Sequence, residues 1–234
     1  MAKKKKQEES GGIDLLENPD VLASRAEEFF NKKQNQNILY GVLIAAILIV
    51  GGVTFFRFQQ NSKDEEAQRE MFQAIYFFES DSLGRALNGD GNNYGFLDII
   101  EQYGGTNAGN IAKFYAGATY LKLGDFENAI RNLGDFSSDD YLLQARAYAL
   151  IGDAHMELDD FDEAVRFFSK AVDYKPNEQF MPIYLQKLAI AEEERGNFSE
   201  AAKAYQRTID EFGGSRYKQE ALKQVARLNG LASE

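Results

Sequence analysis

The sequence predicts an all-α protein: a single N-terminal transmembrane helix, then an α-solenoid of helical hairpins, then a C-terminal capping helix. Three observations carry this. The run Ile38 to Phe56 holds nineteen residues and no charge. Residues 117–133, 152–168 and 189–205 repeat one pattern at spacings of 35 and 37. Beyond Arg57, Pro occurs only at Pro176 and Pro182, and short Gly breaks punctuate the chain without any polar–apolar alternation of the kind strands need.

Composition narrows the chemistry. With 44% apolar and 13% aromatic residues, the 234-residue chain can build a substantial core. Its 26 basic against 37 acidic residues leave −11, which argues against nucleic acid as a partner. It has no Cys and one His, His155. That removes Cys nucleophiles, disulfides, thiolate or multi-His zinc sites and His-based triads together. No cofactor, metal or small-molecule substrate is expected, and the chain reads as a binder rather than an enzyme.

Residues 1–37 form a leader with seven basic and seven acidic residues. In it, Asn18-Pro19 reads as a helix start, Asn as N-cap and Pro at the first position. Val21, Leu22, Arg25, Ala26, Phe29, Phe30 and Lys33 follow on one face. That pattern fits an amphipathic helix on the membrane or on a partner, or else a solvated leader.

Residues 38–56 make the span. At 1.5 Å per residue they give roughly 28 Å of helix, close to the ~30 Å hydrocarbon core. A cleaved signal peptide is the competing reading, with a mature end after Gly51 or Gly52. Its apolar region, however, is usually about 7–15 residues and ends in small residues, not in Phe55, Phe56 and Arg57. Lys32 and Lys33, with Arg25 and Lys3 to Lys6 behind them, outnumber Arg57 and Lys63 on the far side. The positive-inside rule then puts the N-terminus in the cytoplasm and the C-terminal domain outside it.

From Arg57 onward the chain carries the whole net charge, 19 basic against 30 acidic residues. In the repeat, Gly117 and Gly152, Tyr120 and His155, Phe126 and Phe161, and Ala129 and Ala164 coincide, and Phe198 and Ala201 extend the pattern. This resembles the tetratricopeptide repeat, a helix–turn–helix unit whose neighbours cover one another's apolar faces. The expected divisions are a juxtamembrane segment and degenerate first repeat over 57–105, repeats at 110–144, 145–181 and 182–215, and a capping helix and tail over 216–234. An inserted loop is expected at Asp81 to Asn93.

Two features invite other chemistry. Asp90, Asn92, Asp98 and Glu101 fall where a calcium loop places ligands and Gly95 where it places its turn glycine, but Tyr94 takes the fifth position, where an oxygen is needed. His155 lies inside a first helix with no second His or Cys, so it reads as a packing residue.

The resemblance also implies where a partner would bind, since first-helix positions line the inner face of such repeats. They are Phe114, Leu121 and Lys122 in the first full repeat, then Arg146, Asp153, Met156 and Glu157 in the second. The third contributes Gln186, Ile190 and Glu193. The Lys/Asn clamp that some members use for a C-terminal carboxylate is missing. An apolar groove with an acidic flank suits an extended or helical apolar segment with some positive charge.

The whole layout is similar to the ancillary SecYEG translocon subunit family, the YfgM-like inner-membrane proteins of Gram-negative bacteria. That resemblance implies a single-pass protein of the bacterial inner membrane with its repeats in the periplasm. It also implies partnership with SecYEG and with a periplasmic chaperone during protein export. The rival reading is a membrane-tethered scaffold in another envelope secretion or motility complex.

Overall fold

The computed structural model describes residues 19–176 and 178–231; the first part of the 1–37 leader, including the Asn18 cap, lies outside them. All regular structure among the described residues is helical. The chain divides into two units, Met1–Gln59 and Gln60–Glu234.

In the first unit, α1 (Pro19–Asn31) begins at the expected proline. Of its expected face, Ala26, Phe29 and Phe30 are exposed, while the side chains of Val21, Leu22 and Arg25 lie outside the described set. The chain breaks at Lys32, where the Asn35 side-chain amide donates to the Phe29 carbonyl at 3.0 Å. Helix α2 (Lys33–Glu79) follows and contains the predicted span. It is long and apolar enough to cross a membrane, with a mean hydropathy of 2.5 over its most apolar stretch and none of that stretch buried by protein. The one threonine there, Thr54, donates its hydroxyl back to the Val50 and Gly51 carbonyls at 2.8 and 2.9 Å, which hides its polarity in the way lipid requires.

The second unit starts with the last turns of α2, whose Ala67, Met71, Ala74 and Phe77 face inward at helical spacing. They meet α3 (Leu83–Asn88), α4 (Phe96–Tyr103) and the start of α5 (Asn107–Leu123) in one apolar cluster. Here the structure departs from the expected 81–93 loop: part of that insertion is helix α3, and its Ala86 and Leu87 are buried in the cluster. The 3–4 spacing of Leu83, Ala86 and Leu87 explains this, because it gives one helical turn an apolar face.

Three hairpins follow: α5 with α6 (Phe126–Gly134), α7 (Tyr141–Glu157) with α8 (Phe161–Asp173), and α9 (Met181–Glu194) with α10 (Phe198–Glu211). Helix α11 (Lys218–Leu231) covers α10, placing Ala221 and Leu228 against Ala201, Ala204 and Tyr205. Acidic residues in the turns act as caps. Asp125 accepts from the Asn128 amide, Asp140 from those of Leu142 and Leu143, and Asp160 from that of Glu163.

The hairpins close because each first helix offers a small residue where its second helix crosses. A methyl group on Gly117 would meet Leu133 Cγ at 2.5 Å, and one on Gly152 would meet the Phe168 ring at 2.6 Å. Ala189 occupies the same place in the third copy, fully buried. On the facing helices, Ala129, Ala164 and Ala201 are fully buried too.

Candidate partner-binding groove

Residues from all three hairpins line an open groove of ≈ 420 Å³. Leu121 and Phe126 come from the ends of α5 and α6 that flank their turn. Asp153, Met156 and Glu157 come from the last turns of α7, Phe168 from α8, and Lys187 and Ile190 from α9. The floor is therefore apolar and one wall acidic. Ile190 stands 39% exposed, more than a core residue would be.

One ion pair crosses the groove, from Lys187 Nζ to Asp153 Oδ1 at 2.6 Å. The Lys187 ammonium also lies 5.9 Å from the centroid of the Phe168 ring, within cation–π range. Burial pushes the Asp153 carboxyl above the usual carboxylate range; Lys187 pulls it back and Glu157 adds to the rise. Desolvation thus outweighs the lysine, and with Asp153 paired to Lys187, Glu157 is the exposed carboxylate of the wall.

Five of the ten positions expected from sequence meet here: Leu121, Asp153, Met156, Glu157 and Ile190. The others are placed elsewhere. Phe114 is buried, not presented, because α7 packs over it: it joins Leu133, Phe136, Ala147 and Ile151 in an inter-repeat core. Lys122 turns away to Asp81 of the insertion, 2.5 Å off, and lies over the Phe78 ring. Gln186 belongs to a separate crevice with Tyr205, Thr208 and Tyr217. Glu193 pairs with Arg227 of the capping helix, and Arg146 is exposed outside the groove.

Phe126, Phe168 and Lys187 were not anticipated as lining residues. For Lys187 a signal existed: it follows Asp153 by 34 residues, close to one repeat, and Arg227 follows Glu193 by the same interval. Acid–base pairs one repeat apart tie a hairpin to the element that follows it, Asp153 to the third hairpin and Glu193 to the capping helix.

The two decoys resolve locally. Asp90 accepts from the amides of Asn92 and Asn93 and from the Asn93 side chain, which holds its carboxyl below the usual range, and Asp98 caps the Gly95 amide. Their carboxylates are engaged in turn and cap geometry. The His155 ring stacks on Phe167 at 5.5 Å, with Nδ1 3.2 Å from Asp160 Oδ2. Among the described residues, no group of three or more acidic or His side chains is placed to hold a metal ion.

Sequence families described as tetratricopeptide repeat match residues 145–178 and 184–215. These are tetratricopeptide repeats. The α5–α6 pair upstream makes the same small-residue contact, Gly117 against Leu133. The crystal structure of MamA protein is similar, with a TM-score of 0.55 and 18% identity over 70% of this chain and 81% of that one. Comparison with curated proteins found no match. The repeat domain is a protein-interaction module, on a fold typical of non-enzymatic scaffolds.

Proposed function

We propose that this protein is a single-pass component of the bacterial inner membrane, N-terminus cytoplasmic and repeats periplasmic, ancillary to the SecYEG translocon. In this reading it links the channel to a periplasmic chaperone, and its groove takes an extended or helical apolar segment of that chaperone or of an emerging client. One observation carries the binding role: an apolar floor assembled from three repeats beside an acidic wall whose single lysine is already committed to Asp153. Such a surface favours apolar segments with nearby Lys or Arg. The membrane helix contributes proximity, since tethering replaces a bimolecular encounter by a high effective concentration.

The test is purification of tagged full-length protein in mild detergent, followed by mass spectrometry. SecYEG subunits together with a periplasmic chaperone are the expected companions. Glu157→Lys combined with Ile190→Lys changes two exposed groove positions and reverses the local charge. This variant should lose the chaperone or client by at least about tenfold, the scale of a lost interface anchor, and keep its melting temperature. Recovery of a different envelope complex would replace the Sec assignment and leave the groove to be tested against that partner.

A further inference from the structure

Helix α1 carries an apolar side that no described residue covers. Phe29 and Phe30, 50% and 54% exposed, meet edge to face with ring centroids 6.0 Å apart. By helical phase the exposed Ala23 and Ala26 continue their side, while Ser24, Glu27, Glu28 and Asn31 fall on the other. The break that ends α1 is hydrogen-bonded throughout. The Phe29 carbonyl, left over by the last turn, accepts from the Asn35 side chain at 3.0 Å. The Lys32 carbonyl accepts from the amides of Asn35 and Gln36 at 2.8 and 3.0 Å. This turn sets Phe30 and Asn31 beside Gln36, Leu39, Tyr40 and Leu43, around an open recess of ≈ 410 Å³. Leu39, Tyr40 and Leu43 belong to the first turns of the 38–56 span, so Phe30 stands where the hydrocarbon begins.

We propose that α1 lies along the membrane surface, its Phe29–Phe30 side in lipid and its Glu27–Glu28 side in water. Continuity with the span selects lipid as the occupant. Tyr40 and Leu43, 62% and 58% exposed, meet the bilayer as part of the span, and the recess they share with Phe30 opens to the same medium. Acyl chains fill it without displacing any protein. Tyr40 also sits at the depth where aromatic rings with a polar tip are favoured. Charge does not drive the contact. From Pro19 to Lys33 three acidic residues balance three basic ones, and Lys32 is paired with Glu28 at 3.2 Å. Burial of the apolar side is what holds such a helix, so acidic lipid is not required. The proposal rests on residues 38–56 crossing a membrane and is independent of the Sec assignment.

The chain has no native Trp, so one introduced indole reports alone. Full-length Phe30→Trp protein is reconstituted in phosphatidylcholine vesicles, with brominated phosphatidylcholine as the quencher. Lipid brominated near the headgroup end of its chains should quench the emission at least about twofold, as for a ring about 5–10 Å into the headgroup–acyl boundary. Bromine at the chain ends should quench it less. Glu28→Trp, on the polar side, should emit as a water-exposed indole and escape both quenchers. Ile44→Trp, inside the span, should be quenched by the chain-end label. Adding phosphatidylglycerol should leave the Phe30→Trp result unchanged. An unquenched Phe30→Trp beside a quenched Ile44→Trp would overturn the proposal and leave the span standing, with the aromatic side assigned to water or to a protein partner. Loss of quenching at both positions would remove the span as well. Equal quenching of Phe30→Trp and Glu28→Trp, or quenching only with phosphatidylglycerol present, would also refute it.

Discussion

At the scale of single residues, close approach and burial decide the outcome. Replacing Gly152 by Ala adds helix propensity of about 1 kcal/mol, yet the new methyl would sit 2.6 Å from the ring of Phe168, itself 1% exposed. Overpacking of that kind costs about 1–3 kcal/mol, so Gly152→Ala should lower stability, measurable as a reduced urea midpoint. Tyr205 offers a test by pH. Burial, reinforced by the carboxylate of Glu193, pushes its hydroxyl up to about 12. An unfolded tyrosine titrates near 10, so the folded state holds the proton longer. Its contribution is complete below pH 10 and is lost as pH rises toward 12. Tyr205→Phe should therefore flatten the fall in stability across that window relative to the parent protein.

At the scale of elements, the sequence was most legible where a physical demand recurs. Gly117, Gly152 and Ala189 mark crossings that tolerate only small side chains, and their register located the hairpins without any structure. The groove was half legible. The inner-face positions that the tetratricopeptide resemblance implies include Leu121, Asp153, Met156, Glu157 and Ile190, but that correspondence alone does not reveal which positions the next hairpin covers. Phe114 is among the positions the resemblance implies and is buried all the same, because α7 crosses over it. Helix α3 escaped notice for a related reason: six residues carry too little periodicity to separate a helix from a loop. The capping role of α11 can be checked at Leu228, which is fully buried against α10 and its neighbours. Leu228→Ala should cost about 2–5 kcal/mol, read from chemical denaturation; a near-neutral change would mean that α11 is not integral to the fold.

At the scale of the whole molecule, the Gln60–Glu234 unit carries its own apolar clusters and owes none of them to the span. A truncated chain beginning at Gln60 should be soluble and helical by circular dichroism, with a cooperative thermal melt. Aggregation would instead indicate that residues 38–56 belong to the core. The clusters themselves have a further consequence. They are five separate groups, joined by bridging residues such as Tyr115 and Leu188 and not fused into one interior. Local opening of one hairpin then breaks contacts with its immediate neighbours only. Amide protons of α11 should accordingly exchange with solvent sooner than those of α7, whose two sides are both covered. Strain applied at one end of the array is passed on stepwise, each hairpin yielding before the next one feels it.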